Sequence, residues 1–365
     1  MFQIDRRLAA QVDWVLLGSA SLLVLFGLAT IYSATHASAS YIYDKHVYWI
    51  FIGSAFFLAA LALDYSLLER FAYPVYGFSL LLLIGVIVFG RTIAGAKRWI
   101  DFGFISIQPS EFAKLALIVA LAKYFSDRTV PDSGLTLKEL AKPVPFLLVP
   151  FLLVAKQPDL GTALILMLIF SSMVMIVKVK RRVIIGLAVA FAPLVPIFWA
   201  SLKGYQKARI ISFIDPSVDK LGTGYHLLQS KIAIGSGGFM GKGYLEGTQG
   251  KLRFLPEHHT DFIFPTLAEE WGFVGAIIFV ALFLILITRG IDTAKGAKDR
   301  FGFLVAFGVS AMLFWHAFIN IGMVCGLMPV VGVPLPFLSY GGSFLATSLI
   351  GVGLLANIGM RRFIF

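Results

Sequence analysis

Residues 14–31 read WVLLGSASLLVLFGLATI, eighteen consecutive positions without a charge. At about 1.5 Å per helical residue the run covers roughly 27 Å, close to the ~30 Å hydrocarbon core of a bilayer. It is longer than the ~7–15-residue apolar region of a cleavable leader and is expected to stay as the first transmembrane helix. Similar runs recur as far as residue 360. Bounding them at charges, prolines and glycines puts helices near 14–35, 47–63, 72–90, 110–126, 143–156, 160–177, 183–202, 262–289, 301–325 and 343–360. The fifth, carrying Pro143, Pro145 and Pro150, is expected to be short and kinked. The reading is an all-α integral membrane protein of about ten transmembrane helices, one polytopic domain over 1–365. Composition agrees: 58% of residues are apolar, 14% are charged and the mean hydropathy is +0.86, outside the range of soluble domains.

Lys and Arg orient the chain. With the N-terminus inside, the inner segments hold seventeen cations and the short outer loops hold five, namely Lys45, Arg91, Lys97, Arg98 and Lys156. That asymmetry puts both termini in the cytoplasm. It leaves 203–261, between helices seven and eight, as a large extracytoplasmic loop that is itself basic, which either reflects an anionic ligand or the indifference of long loops to charge. The net charge of +11 is supplied by the inner cations facing anionic headgroups, and no nucleic-acid partner is implied. The single cysteine, Cys325, lies in an apolar run and reads as a packed small side chain.

Polar residues at membrane depth mark the candidate site. Glu111 and Lys114 lie three apart at the outer end of the fourth helix and share a face; each costs about 2.5–3.5 kcal/mol on insertion scales, so the pair is expected to point inward, as a functional group or a structural ion pair. Lys97 and Arg98 beside Trp99 suit a phosphate at the interface, or serve as an anchor. Between 235 and 250 lie seven glycines, a density that permits close backbone approach. Gly241-Lys242 is not a nucleotide loop, because Gly243 stands where Ser or Thr is required and Ser236 where the first glycine is. Residues 224–234 alternate polar and apolar at helical spacing, with His226, Gln229 and Lys231 on the polar side, and read as a helix lying in the outer interface.

LPEHHTD (255–261) precedes an apolar span. Asp261 would sit at the outer surface, where partial burial suits a general base; capping by Thr260 or Asp261 is the alternative. Glu257, His258, His259 and Asp261 lack a recognised metal-ligand spacing, and no dedicated metal site is expected. Finally, GLMPVVGVPLPFLSYGGS (326–343) carries three prolines and four glycines; irregular backbone at this depth is tolerated where protein buries it or a cavity opens, so the loop, with Ser339, reads as the wall of a pocket.

Five ordered stretches carry a resemblance: WIDFGFISIQPSEFAKL (99–115), QPDLGTA (157–163), FIDPSVDKLGTGYHLLQSKIAIGSGGFMGKG (213–243), LPEHHTDFIFPTLAEEWG (255–272) and GLMPVVGVPLPFLSYGGS (326–343). The chain resembles the SEDS family (shape, elongation, division, sporulation), and GTQ at 247–249 favours the elongation branch over the division paralogue. His258, Pro265 and Phe344 depart from the family pattern, which has Arg, a small residue and Ser there. The resemblance implies a peptidoglycan glycosyltransferase that polymerises lipid II on the outer face of the cytoplasmic (inner) membrane, with a class B penicillin-binding transpeptidase and the elongation machinery as partners. Asp261 matches the family's essential aspartate, and Glu111 and Lys114 its cavity pair.

The expected chemistry needs a base and an anion stabiliser. Asp261 would be the base, and Lys114 and Arg98 the leading contacts of the departing pyrophosphate, with Arg209 and Lys97 behind them; Glu111 would orient Lys114. Glu257, His259, Gln229 and Ser339 are further candidate substrate contacts. A divalent cation, Mg²⁺ or Mn²⁺, at the pyrophosphate is the alternative stabiliser. Two other function classes compete. A lipid-linked precursor flippase would need polar groups across the whole bilayer, whereas the charges here cluster in the outer half; a non-catalytic scaffold would assign no role to Asp261.

Overall fold

The computed structural model describes residues 11–362 apart from 37–39, 94–95, 102, 104, 130, 132, 192, 194–195, 197–198, 201–203, 216–218, 220–221 and 249–258. The apolar runs become α1 (Trp14–Thr35), α2 (Ser40–Ala62), α4 (Ala72–Phe89), α5 (Pro109–Ser126), α7 (Val144–Lys156), α8 (Leu160–Ile176), α9 (Arg181–Phe191), α12 (Ile263–Lys295), α13 (Arg300–Val324) and α14 (Gly342–Met360). Six of these, α1, α2, α4, α12, α13 and α14, are long and apolar enough to cross a membrane unaided, while α7 and α8 are shorter apolar helices. Of the expected seventh span, α9 covers Arg181–Phe191, and much of 192–203 lies outside the described residues. Short helices α3 (Tyr65–Arg70) and α6 (Leu137–Ala141) join the spans at one end; α10 (Gly204–Ile214) and α11 (Thr223–Ser236) lie in the long loop. The helix expected over 224–234 is α11, whereas α10 was not anticipated.

The helix ends sort into two groups. Arg289 pairs with Asp13 at 2.7 Å, Arg361 with Asp64 at 3.0 Å and Lys123 with Glu69 at 3.2 Å, while Arg300 donates to the Arg128 carbonyl at 2.6 Å. These contacts gather alternate helix ends at one basic end. The strands, α10, α11 and the 326–341 loop join the other ends, which form the site end. Burial separates the spans as well: α5 is buried on nearly every face, α13 and α14 mostly so, while α2 and α4 expose Phe51, Leu58, Phe78, Leu81 and Val88. A helix apolar all round and enclosed by neighbours belongs to the interior of a bundle, and one with exposed apolar side chains belongs against lipid.

Two features depart from the helical reading. Residues 91–107 form a small antiparallel sheet, β1 (Arg91–Ile93), β2 (Ala96–Asp101) and β3 (Ser106–Ile107), in the order β1-β2-β3. Helix α12 runs six residues further than expected, to Lys295, and is broken at Gly272, where φ is 65° and ψ −163°. The glycine-rich segment takes up the polar groups freed by that break. Lys242 N donates to the Glu269 carbonyl at 3.0 Å and Gly243 N to Glu270 at 3.1 Å, while Phe273 N and Val274 N donate to Gly238 and Phe239 at 3.0 and 3.2 Å. Such contact needs bare backbone on both sides: a Cβ on Gly272 would stand 2.2 Å from Gly241 N, and one on Gly241 2.1 Å from the Glu270 carbonyl. Below it, Glu269 is fully buried and held by Lys242 at 2.6 Å and by Thr248 N at 2.9 Å.

Candidate active site

Four elements meet at the site end: the first turn of α5, the turn before α12, the last third of α13 and the irregular 326–341 loop. The N-terminus of α5 opens with Pro109 and is anchored from outside, since Gln108 N donates to Ser343 Oγ at 3.0 Å and Gln108 Nε2 reaches Asp159 Oδ2 at 3.3 Å. That fixes Glu111 and Lys114 toward the bundle interior. Lys114 Nζ lies 2.7 Å from Glu111 Oε2 and 2.7 Å from His316 Nε2, with the ring of Phe344 5.1 Å away. Lys114 is fully buried and Glu111 nearly so. The Glu111–Lys114 contact is close but off the hydrogen-bond direction, so it is chiefly Coulombic. Phe344, where the family pattern has Ser, packs 4.7 Å from the His316 ring and covers the ammonium.

Asp261 sits half-buried in the turn leading into α12. Its surroundings are set through the main chain. Asn320 Nδ2 donates to the Asp261 carbonyl at 2.9 Å and to the Val333 carbonyl at 2.7 Å. Ser339 Oγ donates to the Thr260 carbonyl at 2.7 Å and accepts from Leu335 N at 2.8 Å, and Tyr340 N donates to the His259 carbonyl at 2.9 Å. The side chain of Asp261 faces Gly332, whose φ is 74°: a Cβ there would stand 3.3 Å from Asp261 Oδ2 and 4.0 Å from Arg209 Nη1. One glycine thus marks the point where a carboxylate and a guanidinium converge. Pro265 falls in the first turn of α12, where a missing N–H leaves no helical bond unmade.

The expected site residues divide accordingly. Asp261 and Arg209 come together at the Gly332 turn, and Glu111 and Lys114 form the buried pair. Ser339 holds the Thr260 carbonyl next to Asp261, and the His259 carbonyl accepts from Tyr340 N. Arg98 is placed differently from expectation: its Nε donates to the Gln157 carbonyl at 3.1 Å, its Nη2 to Pro158 O, and its Nη1 faces Asp159 at 3.7 Å. It clamps the turn that starts α8, leaving little of its donor set for a ligand. Lys97 is exposed on β2 without an ion pair among the described residues. Gln229 is half-buried on α11, which docks on α13 through Ser230 Oγ donating to Val324 O at 2.7 Å. Glu257, like His258, lies outside the described residues. The N-cap position of α12 is taken by Phe262, the residue after Asp261.

His316 and Asn320 escaped the sequence reading. They stand four apart on one face of an otherwise apolar span, both almost fully buried, and the membrane cost that singled out Lys114 could have found them. Among the described residues no cluster of three or more His, Cys, Asp or Glu side chains could hold a metal ion. Two cavities of about 290 and 170 Å³ lie at the basic end, around Arg128, Glu139 and Lys142 and around Lys178 and Arg300.

Known proteins resemble this chain in sequence and in fold. The chain is 45% identical to peptidoglycan glycosyltransferase MrdB of Escherichia coli K12 over 80% of its length and 79% of that protein, and 34% identical to peptidoglycan glycosyltransferase RodA of Treponema pallidum over 96% and 98%. Among solved structures it superposes on a chain of a peptidoglycan synthase complex that coordinates polymerization and crosslinking, with TM-score 0.85, 31% identity and coverage of 97% and 99%. An aspartate-to-alanine variant of the rod shape determining protein RodA of Thermus thermophilus gives TM-score 0.72 at 30% identity, covering 97% and 99%. The family described as cell cycle proteins, comprising FtsW, RodA and SpoVE, matches residues 13–363, and the chain therefore belongs to this family, the SEDS proteins.

Proposed function

We propose that this chain is a peptidoglycan glycosyltransferase of the elongation type, which polymerises lipid II into β-1,4 glycan strands at the outer face of the cytoplasmic membrane. The observation that carries the reading is the convergence of Asp261 and Arg209 at Gly332, backed by the buried Glu111–Lys114 pair. Relatives at 45% and 34% identity are peptidoglycan glycosyltransferases by name. In the reaction the 4-hydroxyl of the acceptor GlcNAc attacks the anomeric carbon of the donor. A C–O bond forms, the bond to undecaprenyl pyrophosphate breaks with its electron pair leaving on phosphate, and the configuration inverts from α to β. Asp261 takes the hydroxyl proton. Arg209, which stands beside Asp261, is the leading contact for the departing pyrophosphate; Lys114, enclosed by Phe344, acts through the field of its charge in a low-dielectric interior. A divalent cation, Mg²⁺ or Mn²⁺, would reach this site carried by the pyrophosphate.

The partner inferred is a class B penicillin-binding transpeptidase within the elongation machinery, supported by the likeness to a chain of a complex that joins polymerization to crosslinking. The site end faces outward in this reading, and the basic end faces the cytoplasm. Reporters test that directly: one fused after Gln249 is expected to read outside and one after Ala297 inside, and a cytoplasmic signal at 249 overturns the site assignment too. A flippase is disfavoured because Asp261, Arg209, Glu111 and Lys114 all belong to one end. Purified protein in detergent, with no compartment to transport across, is expected to convert lipid II into polymer, and intact lipid II after incubation refutes the reading.

A further inference from the structure

Buried Lys114 has three neighbours: Glu111 Oε2 at 2.7 Å, which opposes its charge, His316 Nε2 at 2.7 Å, which can accept one of its N–H bonds, and the Phe344 ring at 5.1 Å. For His316 to accept at Nε2, its proton must sit on Nδ1. That nitrogen lies 3.3 Å from the Pro334 carbonyl, a fitting acceptor. One tautomer satisfies both contacts, and the other would set an N–H against an ammonium. One helical turn further along α13, Asn320 donates to the neighbouring carbonyl, Val333 O, and to Asp261 O. The 326–341 loop has no helical partners for these carbonyls, so consecutive polar side chains of α13 supply the donors.

We infer that His316 is a positioning residue of this site: it receives Lys114 on one nitrogen, ties the 326–341 loop with the other, and with Asn320 fixes the buried cation relative to Asp261. The groups facing Lys114 and His316 arrive from every side of that arrangement, with Glu111 on α5, Phe344 on α14 and Pro334 on the loop. Glu111 opposes the charge of the ammonium, but its N–H bonds still need acceptors in a dry interior, and an unmet buried donor is costly. A neutral acceptor meets one of them without adding charge. Leucine at position 316 fills similar space and meets neither contact, whereas the glutamine carbonyl oxygen can replace Nε2 as acceptor.

The activity arm of the test rests on the glycosyltransferase reading, and the stability arm does not. With full-length protein in detergent, His316→Leu is expected to lower kcat for lipid II polymerisation about tenfold or more with KM changed less than about threefold, and His316→Gln to recover kcat to within about threefold of the unsubstituted protein. Thermal melting supplies the second readout: His316→Leu should lower Tm by several degrees alone and by much less when Lys114→Met is already present. Equal Tm losses in both backgrounds, or equal kcat in the Leu and Gln variants, overturn the assignment. Should the unsubstituted protein leave lipid II intact, the function reading fails on its own, and the melting cycle still decides whether His316 acts through Lys114.

Discussion

Asp261→Asn is expected to leave expression, folding and association with the proposed transpeptidase partner intact while cutting glycan synthesis by two or more orders of magnitude. The fold should survive because the turn around Asp261 is held by main-chain carbonyls. Asn320 binds the carbonyl of Asp261 and Ser339 that of Thr260, and neither contact touches the carboxylate. The N-cap of α12 is Phe262, and asparagine caps nearly as well as aspartate. What the substitution removes is the capacity to take a proton. General-base catalysis is worth about 10² to 10⁴ in rate, so the loss should be at least about 2.7 kcal/mol of barrier. Polymer formed from lipid II by the purified variant decides the matter, and more than about a tenth of the unsubstituted rate is too much for the loss of a base.

How far the sequence announces this structure depends on the range over which each signal acts. The spans are legible because each is a local apolar run closed by charges, so Trp14–Thr35 and Arg300–Val324 emerge within a residue or so. The sheet over 91–107 is not, since strands of three, six and two residues are too short to show a period. The break in α12 lies between these cases. Seven glycines announce a close backbone approach, but nothing local says that the partner of Gly241 is Gly272, thirty-one residues on.

The site shows the same division. Glu111 and Lys114 were legible as a pair because they are three apart on one helix, and the 326–341 loop as a wall because prolines and glycines in apolar surroundings exclude a regular helix. Arg98 was read from its neighbour Trp99 as a cation at the interface; its actual partners, the carbonyls of 157 and 158, are fixed by packing between β2 and the α7–α8 turn. Ser339 lies where a pocket wall is expected, yet its hydroxyl holds the backbone, donating to the Thr260 carbonyl and accepting from Leu335 N. Arg209 moves forward in rank only because α10, unanticipated, carries it to the Gly332 turn.

Lys114→Met keeps the length of the stem and removes the charge, and polymerisation is expected to fall by about 10²-fold or more while the protein remains folded and bound to its partner. A single substitution is ambiguous, because it also strands Glu111: with the ammonium gone, a nearly fully buried carboxylate has lost its counter-ion at 2.7 Å. Removing one partner of a buried pair costs about 3–5 kcal/mol, enough to distort the site for reasons unrelated to charge on the pyrophosphate. The double change Glu111→Gln with Lys114→Met resolves this, since it removes both charges and leaves only neutral groups beside His316. If the lysine serves the reaction, the double variant should regain thermal stability over Lys114→Met yet stay inactive, because the field opposing the leaving-group charge is still missing. If the lysine serves only Glu111, stability and activity should return together. Measured rates and melting temperatures for the two single variants and the double one therefore separate a catalytic cation from a structural one, and recovery of polymer synthesis in the double variant removes Lys114 from the chemistry.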